Sequence, residues 1–263
     1  MDRRAIGIFD SGVGGLTVCD KIFRSLPGEN VVYLGDTARV PYGNKSGKTV
    51  TRFSGEIVKF LLGFKVKLII VACNTASSLS LPGLKRSCPV PIIGVIKPGV
   101  REALKRSKSA RIGIIGTEST ISSGVYADEI RSINKSAHVA QKACPIFVPL
   151  VENMWFDGDI TARVARKYLS PLLKRKIDSL ILGCTHYPLL KKVIQRVVGR
   201  KVALIDSSTQ VAKYAKELLG KNGLESGAKK GKARFFATDD TKKFEKLARV
   251  FLGKKIKAGK AIL

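Results

Sequence analysis

Two cysteines, Cys73 and Cys184, each close an apolar run and are each followed at once by small polar residues. Asn74-Thr75 follows the first and Thr185-His186 the second. Cysteines after apolar strands are usually small buried hydrophobes, which is the reading for Cys19, Cys88 and Cys144. Cys73 and Cys184 differ because each stands where a strand pattern gives way to a helical one. The positive end of a helix there is expected to lower a thiol from ~8.5 towards neutrality, giving a usable base or nucleophile. His186, one of two histidines, lies two residues past Cys184 and can exchange a proton with it. His138 has no such neighbours and is read as incidental. Asp10 closes the first apolar run. It either caps the helix that begins near Gly14 or manages the proton of a thiol beside it.

A single Cys/His pair suits a nucleophilic hydrolase. That chemistry leaves the second thiol without a task. A two-base proton exchange uses both, one group taking a proton from one face of a carbon and the other delivering one to the opposite face. In either direction one cysteine is thiolate and the other thiol. The carbanionic intermediate needs a polarised carboxylate, which backbone amides with Asn and Thr side chains can supply. No lysine signature for pyridoxal phosphate and no metal-ligand cluster is apparent, so neither a cofactor nor a metal is expected.

Elements that could position these groups follow from the pattern of short apolar runs alternating with helical-period stretches, which predicts an α/β fold with mostly parallel strands. Strands are expected at Ala5–Phe9, Val31–Leu34, Leu68–Ala72, Ile92–Val95, Arg111–Ile115, Leu180–Leu182, Val202–Ile205 and Arg234–Ala237. Helices are expected at Thr49–Leu62, Gly124–Ile133, Ile160–Leu173 and Thr209–Leu219. Ile6-Gly7-Ile8 recurs as Ile112-Gly113-Ile114, and the Cys73 block recurs around Cys184 at nearly the same offset. Two quasi-symmetric lobes facing each other would set the two thiols on opposite sides of one cleft. Ligands of open α/β sheets bind beyond the carboxyl ends of the strands, and those ends are rich in polar groups here: Asp10-Ser11, Asn74-Thr75, Thr117 to Thr120, Thr185-His186 and Asp206 to Ser208. Gly12 to Thr17 resembles a dinucleotide loop, with Asp36 at a tempting distance for a ribose. Thr17 at the third glycine position and Asp10 against the pyrophosphate argue against it. A glycine-rich turn packing a helix on its strand is the reading adopted.

The chain has 263 residues, of which 48 are Lys or Arg and 20 are Asp or Glu, for a net charge of +28. That length fits one large domain or two of about 130 residues. A hydrophobic content of 44% is enough for ordinary cores, which excludes a disordered chain. The longest apolar run, Leu68–Cys73, is far short of the ~20 residues of a membrane span. The N-terminus does not read as a signal peptide. Five cysteines without a CxxC pair argue against a disulfide framework or a structural zinc site, so a cytoplasmic protein is expected. Basic residues are spread along the chain without interleaved aromatics. They read as a solvated basic surface whose contact with nucleic acid is at most weak and non-specific.

These residues together resemble the glutamate racemase family, of the cofactor-independent aspartate/glutamate racemases. The resemblance runs over nearly the whole chain. It rests on Ile8 to Leu16, Asp36-Thr37 with Pro41-Tyr42-Gly43, Val71 to Ser77, Gly94 to Gly99, Pro149 to Glu152, Leu182 to Pro188 and Ile205 to Ser208. It implies conversion of L-glutamate to D-glutamate for peptidoglycan, without a cofactor, between two α/β lobes. Cys73 would take the proton from the D enantiomer, assisted by Asp10, and Cys184 from the L enantiomer, assisted by His186. Glu152 would support the histidine. Asp10, Ser11, Tyr42, Gly43, Asn74, Thr75, Thr185 and His186 would hold substrate, with Thr117 and Thr120 near its carboxylate. Ser119 stands where family members often have glycine. Aspartate racemases commonly show a glutamate after Cys-Thr, and His186 stands there instead, favouring glutamate over aspartate. The resemblance also implies lobes of residues 1–97 with 209–263 and of 98–208, and a homodimer.

Overall fold

A computed structural model describes all 263 residues. Ten strands form two sheets: β1 (Ile6–Asp10), β2 (Val31–Gly35), β3 (Leu68–Val71), β4 (Ile92–Gly94), β5 (Arg111–Gly116), β6 (His138–Ala143), β7 (Ser179–Gly183), β8 (Ala203–Asp206), β9 (Ala233–Ala237) and β10 (Ala258–Lys260). The first sheet runs β10-β9-β2-β1-β3-β4 and the second β6-β5-β7-β8. Every pairing is parallel. Parallel neighbours need crossovers, and helices supply them, covering both faces of each sheet. All residues of β1, β2, β3 and β7 are therefore buried.

Successive residues of a strand point to opposite faces, so each sheet feeds two cores. Phe9, Leu34 and Val71 pack outward against Val50, Ile57 and Leu61 of the helix Gly47–Leu62. Ile112, Ile114 and Ile181 do the same against Ile96, Val100 and Ala103 of the helix Ile96–Arg106. The inner faces, with Ile8 and Tyr33 on one side and Leu180 and Leu182 on the other, belong to one continuous core. Helix Ser207–Lys221 carries that core between the sheets, packing on both Leu16–Ser25 and Ile96–Arg106. Full burial of one such aliphatic side chain is worth about 1.5–3 kcal/mol. No helix is long and apolar enough to cross a membrane.

The expected strands all form, with ends displaced by a residue or two, and β9 returns to the first sheet beside β2. Two strands escape the sequence pattern. β6, with the sequence HVAQKA, has no fully buried residue and β10 is only three residues long, so neither carries an apolar alternation to read. Helix Gly47–Leu62 starts earlier than its apolar period because the Ser46 hydroxyl caps it, accepting from Thr49 N at 3.3 Å. Cys19 and Cys144 are buried as expected; Cys88, at the end of the helix Leu81–Ser87, is only half-buried.

One buried charge pair was not foreseen in a chain whose charges read as surface. Lys67, directly before β3, is 1% exposed. Its Nζ donates to Asp2 O and Leu224 O, both at 2.6 Å, and lies 2.6 Å from Glu29 Oε2. Glu29 Oε1 accepts from Ser226 N at 2.8 Å. The pair ties the N-terminus and the 224–226 segment beneath the amino ends of the first sheet. Removing one partner strands the other charge in a dry site. Lys67→Met is expected to lower unfolding free energy by about 3–5 kcal/mol in urea denaturation, and adding Glu29→Leu to restore much of it.

Candidate active site

The carboxyl ends of β1, β3, β5 and β7 meet, and both singled-out cysteines stand there. Cys73 follows β3 as the cap of the helix Asn74–Leu79, its Sγ accepting from Ala76 N at 3.4 Å. Cys184 follows β7, but no α-helix begins behind it. The chain bends into a short 3₁₀ turn, Tyr187–Leu190, so the helix end expected at this thiol is absent. Its partner is His186, whose Nδ1 lies 3.8 Å from Cys184 Sγ. On the other side of the ring, Nε2 lies 3.4 Å from Oε1 of Glu152, at the end of the helix Phe147–Glu152. The Nε2 atom has no well-directed hydrogen bond, so this contact acts through charge. Phe251 meets the imidazole edge to face with centroids 5.8 Å apart, a support that the sequence did not reveal.

Asp10 joins the two halves. It is fully buried, accepting from Gly12 N at 3.1 Å and from Thr185 Oγ1 at 3.3 Å. It does not cap the following helix, which starts after Gly15 without a side-chain cap. The glycine-rich loop does more than seat that helix on its strand. A Cβ at Gly14 would fall 2.6 Å from the His186 ring, so the missing side chain is what lets the Thr185-His186 segment approach. Thr17 secures the same approach, its hydroxyl lying 2.9 Å from Gly14 O and 3.3 Å from Thr185 O.

The other predicted groups gather around these. Thr75, Thr117 and Thr120 form a triangle of hydroxyls, Thr75 lying 2.9 Å from Thr117 and 3.1 Å from Thr120, with 2.9 Å between the last two. One member comes from the first sheet and two from the second. Asn74 Oδ1 accepts from Tyr126 OH at 2.6 Å, which turns the amide nitrogen away from the tyrosine. Tyr126 was missed because its place in the helix Val125–Ile133 reads simply as core. Ser11 reaches the Cys73 thiol. Tyr42 is held by Asp36, which also accepts from Arg39 Nε at 2.7 Å and Thr238 Oγ1 at 2.9 Å; Asp36 thus anchors a loop. Gly43, Thr117 and Glu152 line a cavity of about 370 Å³ at the cleft mouth. Asp206 caps the helix Ser207–Lys221 through Ser208 N at 2.9 Å. No group of three or more His, Cys, Asp or Glu side chains converges as a metal site would require.

Electrostatics separate the two thiols. Burial pushes Cys73 up to about 12, with the Asp10 charge adding to it and the Ala76 N–H and Ser11 opposing. The expectation of a lowered Cys73 is thus overturned, because one N–H at a helix start does not offset loss of water around the sulfur. Burial also pushes the Asp10 carboxyl up, against the pull of His186 and the Gly15 and Gly12 N–H groups. Burial disfavours the His186 cation, but Cys184 and Glu152 outweigh it and raise the imidazole to about 10. Glu152 is correspondingly lowered by His186. On one side of the cleft the Cys73 thiol is held protonated beside the Asp10 carboxyl, and on the other Cys184 Sγ faces the His186 imidazolium.

The Asp/Glu/hydantoin racemase family model matches residues 6–215. The glutamate racemase of Geobacter metallireducens is 48% identical over 257 residues, covering 97% of this chain and 95% of that protein. The crystal structure of a glutamate racemase isoform from Bacillus anthracis superposes with a TM-score of 0.97 at 40% identity, covering 100% of this chain and 99% of that one. That of the Francisella tularensis glutamate racemase in complex with D-glutamate has a TM-score of 0.92 at 38% identity, covering 98% and 97%.

Because the His186 value lies above the unfolded 6.5, its pairing contributes full stability below about pH 6.5 and loses it as pH rises through about 10. In an NMR titration the His186 ring should remain protonated at pH 8, and Glu152→Gln should move its titration downwards. A His186 ring already neutral at pH 7 would contradict the charge assignment.

Proposed function

The chain belongs to the Asp/Glu/hydantoin racemase family, and we propose that it interconverts L- and D-glutamate by moving protons between two thiols, Cys73 and Cys184. One observation carries the mechanism. The thiols follow corresponding strands of two different sheets, β3 and β7, and stand in opposite electrostatic surroundings. In the L-to-D direction, Cys184 as thiolate, balanced by the His186 cation, takes the Cα proton. Cys73, kept protonated by burial and by Asp10, delivers a proton to the opposite face. The reverse direction exchanges the roles, with Asp10 receiving and returning the Cys73 proton. Glu152 keeps His186 charged and oriented.

The carbanion formed between the two transfers needs its carboxylate polarised. N–H groups at the start of the helix Asn74–Leu79 and the hydroxyls of Thr75, Thr117 and Thr120 are the donors for it. Tyr126 frees the Asn74 amide to donate as well. Ser11, Tyr42, Gly43 and Thr185 complete the substrate contacts. A Cys/His hydrolase would leave Cys73 and Asp10 unused, and His186 after Cys184-Thr185 favours glutamate over aspartate.

The same reading carries a supply of D-glutamate for peptidoglycan, a homodimer in the cytoplasm and no dedicated nucleic-acid partner. Its two lobes are residues 1–97 with 209–263 on the Cys73 side and 98–208 on the Cys184 side.

Cys73→Ser and Cys184→Ser are each expected to reduce racemisation by about 10²–10⁴-fold in both directions, the usual worth of a general acid or base, with circular dichroism unchanged. Steady-state rates followed by chiral chromatography check this. A folded Cys73→Ser variant near the wild-type rate would overturn the two-base mechanism.

A further inference from the structure

The short loop Tyr42–Asn44 carries two groups assigned above to substrate, yet it belongs to the first sheet's side of the cleft. The hydroxyls that it faces, Thr117 and Thr120, belong to the second. Ser119 lies between those two threonines in the short helix Glu118–Ser122. Its Oγ lies 2.8 Å from Gly43 O and 3.1 Å from Lys45 O, the carbonyls on either side of Asn44. One hydroxyl proton shared between two carbonyls of the same loop fixes the Gly43–Asn44 and Lys45–Ser46 peptide planes against the helix. The fit beneath this bond is tight, since a Cβ at Gly43 would come within 2.6 Å of Thr117 Cβ. At its other end the loop is held within its own half, by Tyr42 OH donating to Asp36.

We infer that Ser119 is a positioning residue, a latch that ties the substrate-facing loop of one half to the hydroxyl cluster of the other. Its bond exists only when the two halves are together, so it adds to the closed arrangement and not to either half alone. Glycine or alanine at this position cannot make it. The effect on turnover rests on the racemase reading, whereas the tether itself does not.

Ser119→Ala removes the donor and leaves Thr117, Thr120 and Thr75 in place. The KM for both glutamate enantiomers is expected to rise about two- to tenfold, the worth of one net hydrogen bond, with kcat unchanged or higher. Ser119→Thr, which keeps the hydroxyl, should restore KM. Hydrogen–deuterium exchange of the substrate-free protein should show amides of residues 42–46 exchanging faster in Ser119→Ala, with β1, β3 and β7 unchanged. Unchanged exchange in residues 42–46 would overturn the latch. So would an unmoved KM, or a fall in kcat alongside a fall in Tm that Ser119→Thr does not correct. If the protein fails to racemise glutamate at all, the exchange comparison still decides for or against the tether.

Discussion

Two parallel sheets meet at their carboxyl ends, and the approach is limited by backbone at Gly14. Any side chain there would strike His186 and separate the Thr185-His186 segment from the loop after β1. Because it is glycine, Thr185 can donate to Asp10 from the opposite half, and the two thiols can serve one cleft. The seam on this side is made of polar contacts: Asp10 with Thr185, Thr75 with Thr117 and Thr120, Asn74 with Tyr126. Each is worth only about 0.5–1.5 kcal/mol net, because water bonds the same groups in the unfolded chain. Behind the cleft, the joint is apolar, with the helix Ser207–Lys221 packed against Leu16–Ser25 and Ile96–Arg106. The two halves are thus joined by an apolar face behind the cleft and by polar contacts at its mouth.

Burial also sets the two thiols in unlike surroundings. Removing water from around Cys73 disfavours its thiolate, and the neighbouring Asp10 reinforces this. Beside Cys184 stands a cation instead, because Glu152 and the sulfur together keep His186 charged despite its burial. A two-base exchange of the kind proposed, in which one thiol is ionised while the other is not, would gain from such unlike surroundings. The exterior adds a long-range contribution. A net charge of +28 spread over the surface attracts small anions such as a dicarboxylate, and salt screens that attraction.

The thiols, Asp10, His186 and the α/β alternation were legible because each left a local mark: a polar residue at the end of an apolar run, or a period. Strands β6 and β10 left none, since no residue of either is fully buried and β10 is three residues long. The protonation state of Cys73 was misjudged because a helix start can be read from sequence and the depth of burial cannot. Gly14 was read as local packing, since its neighbours lie about 170 residues away in sequence and are brought close only by the return of the chain through β7. Tyr126, Phe251 and the partners of Asp36 were hidden for a related reason. A buried hydroxyl, ring or carboxylate declares its partner only once the fold is assembled.

The most direct test of the two-thiol account is proton NMR of L-glutamate in D2O with purified protein and no added cofactor, stopped well before equilibrium and followed by separation of the enantiomers. The account predicts D-glutamate carrying deuterium at Cα, while the remaining L-glutamate keeps its proton, because the base that removes the proton does not return it to the same face. Deuterium appearing in the remaining L-glutamate as fast as in the D product would show a single base serving both faces, and would contradict it.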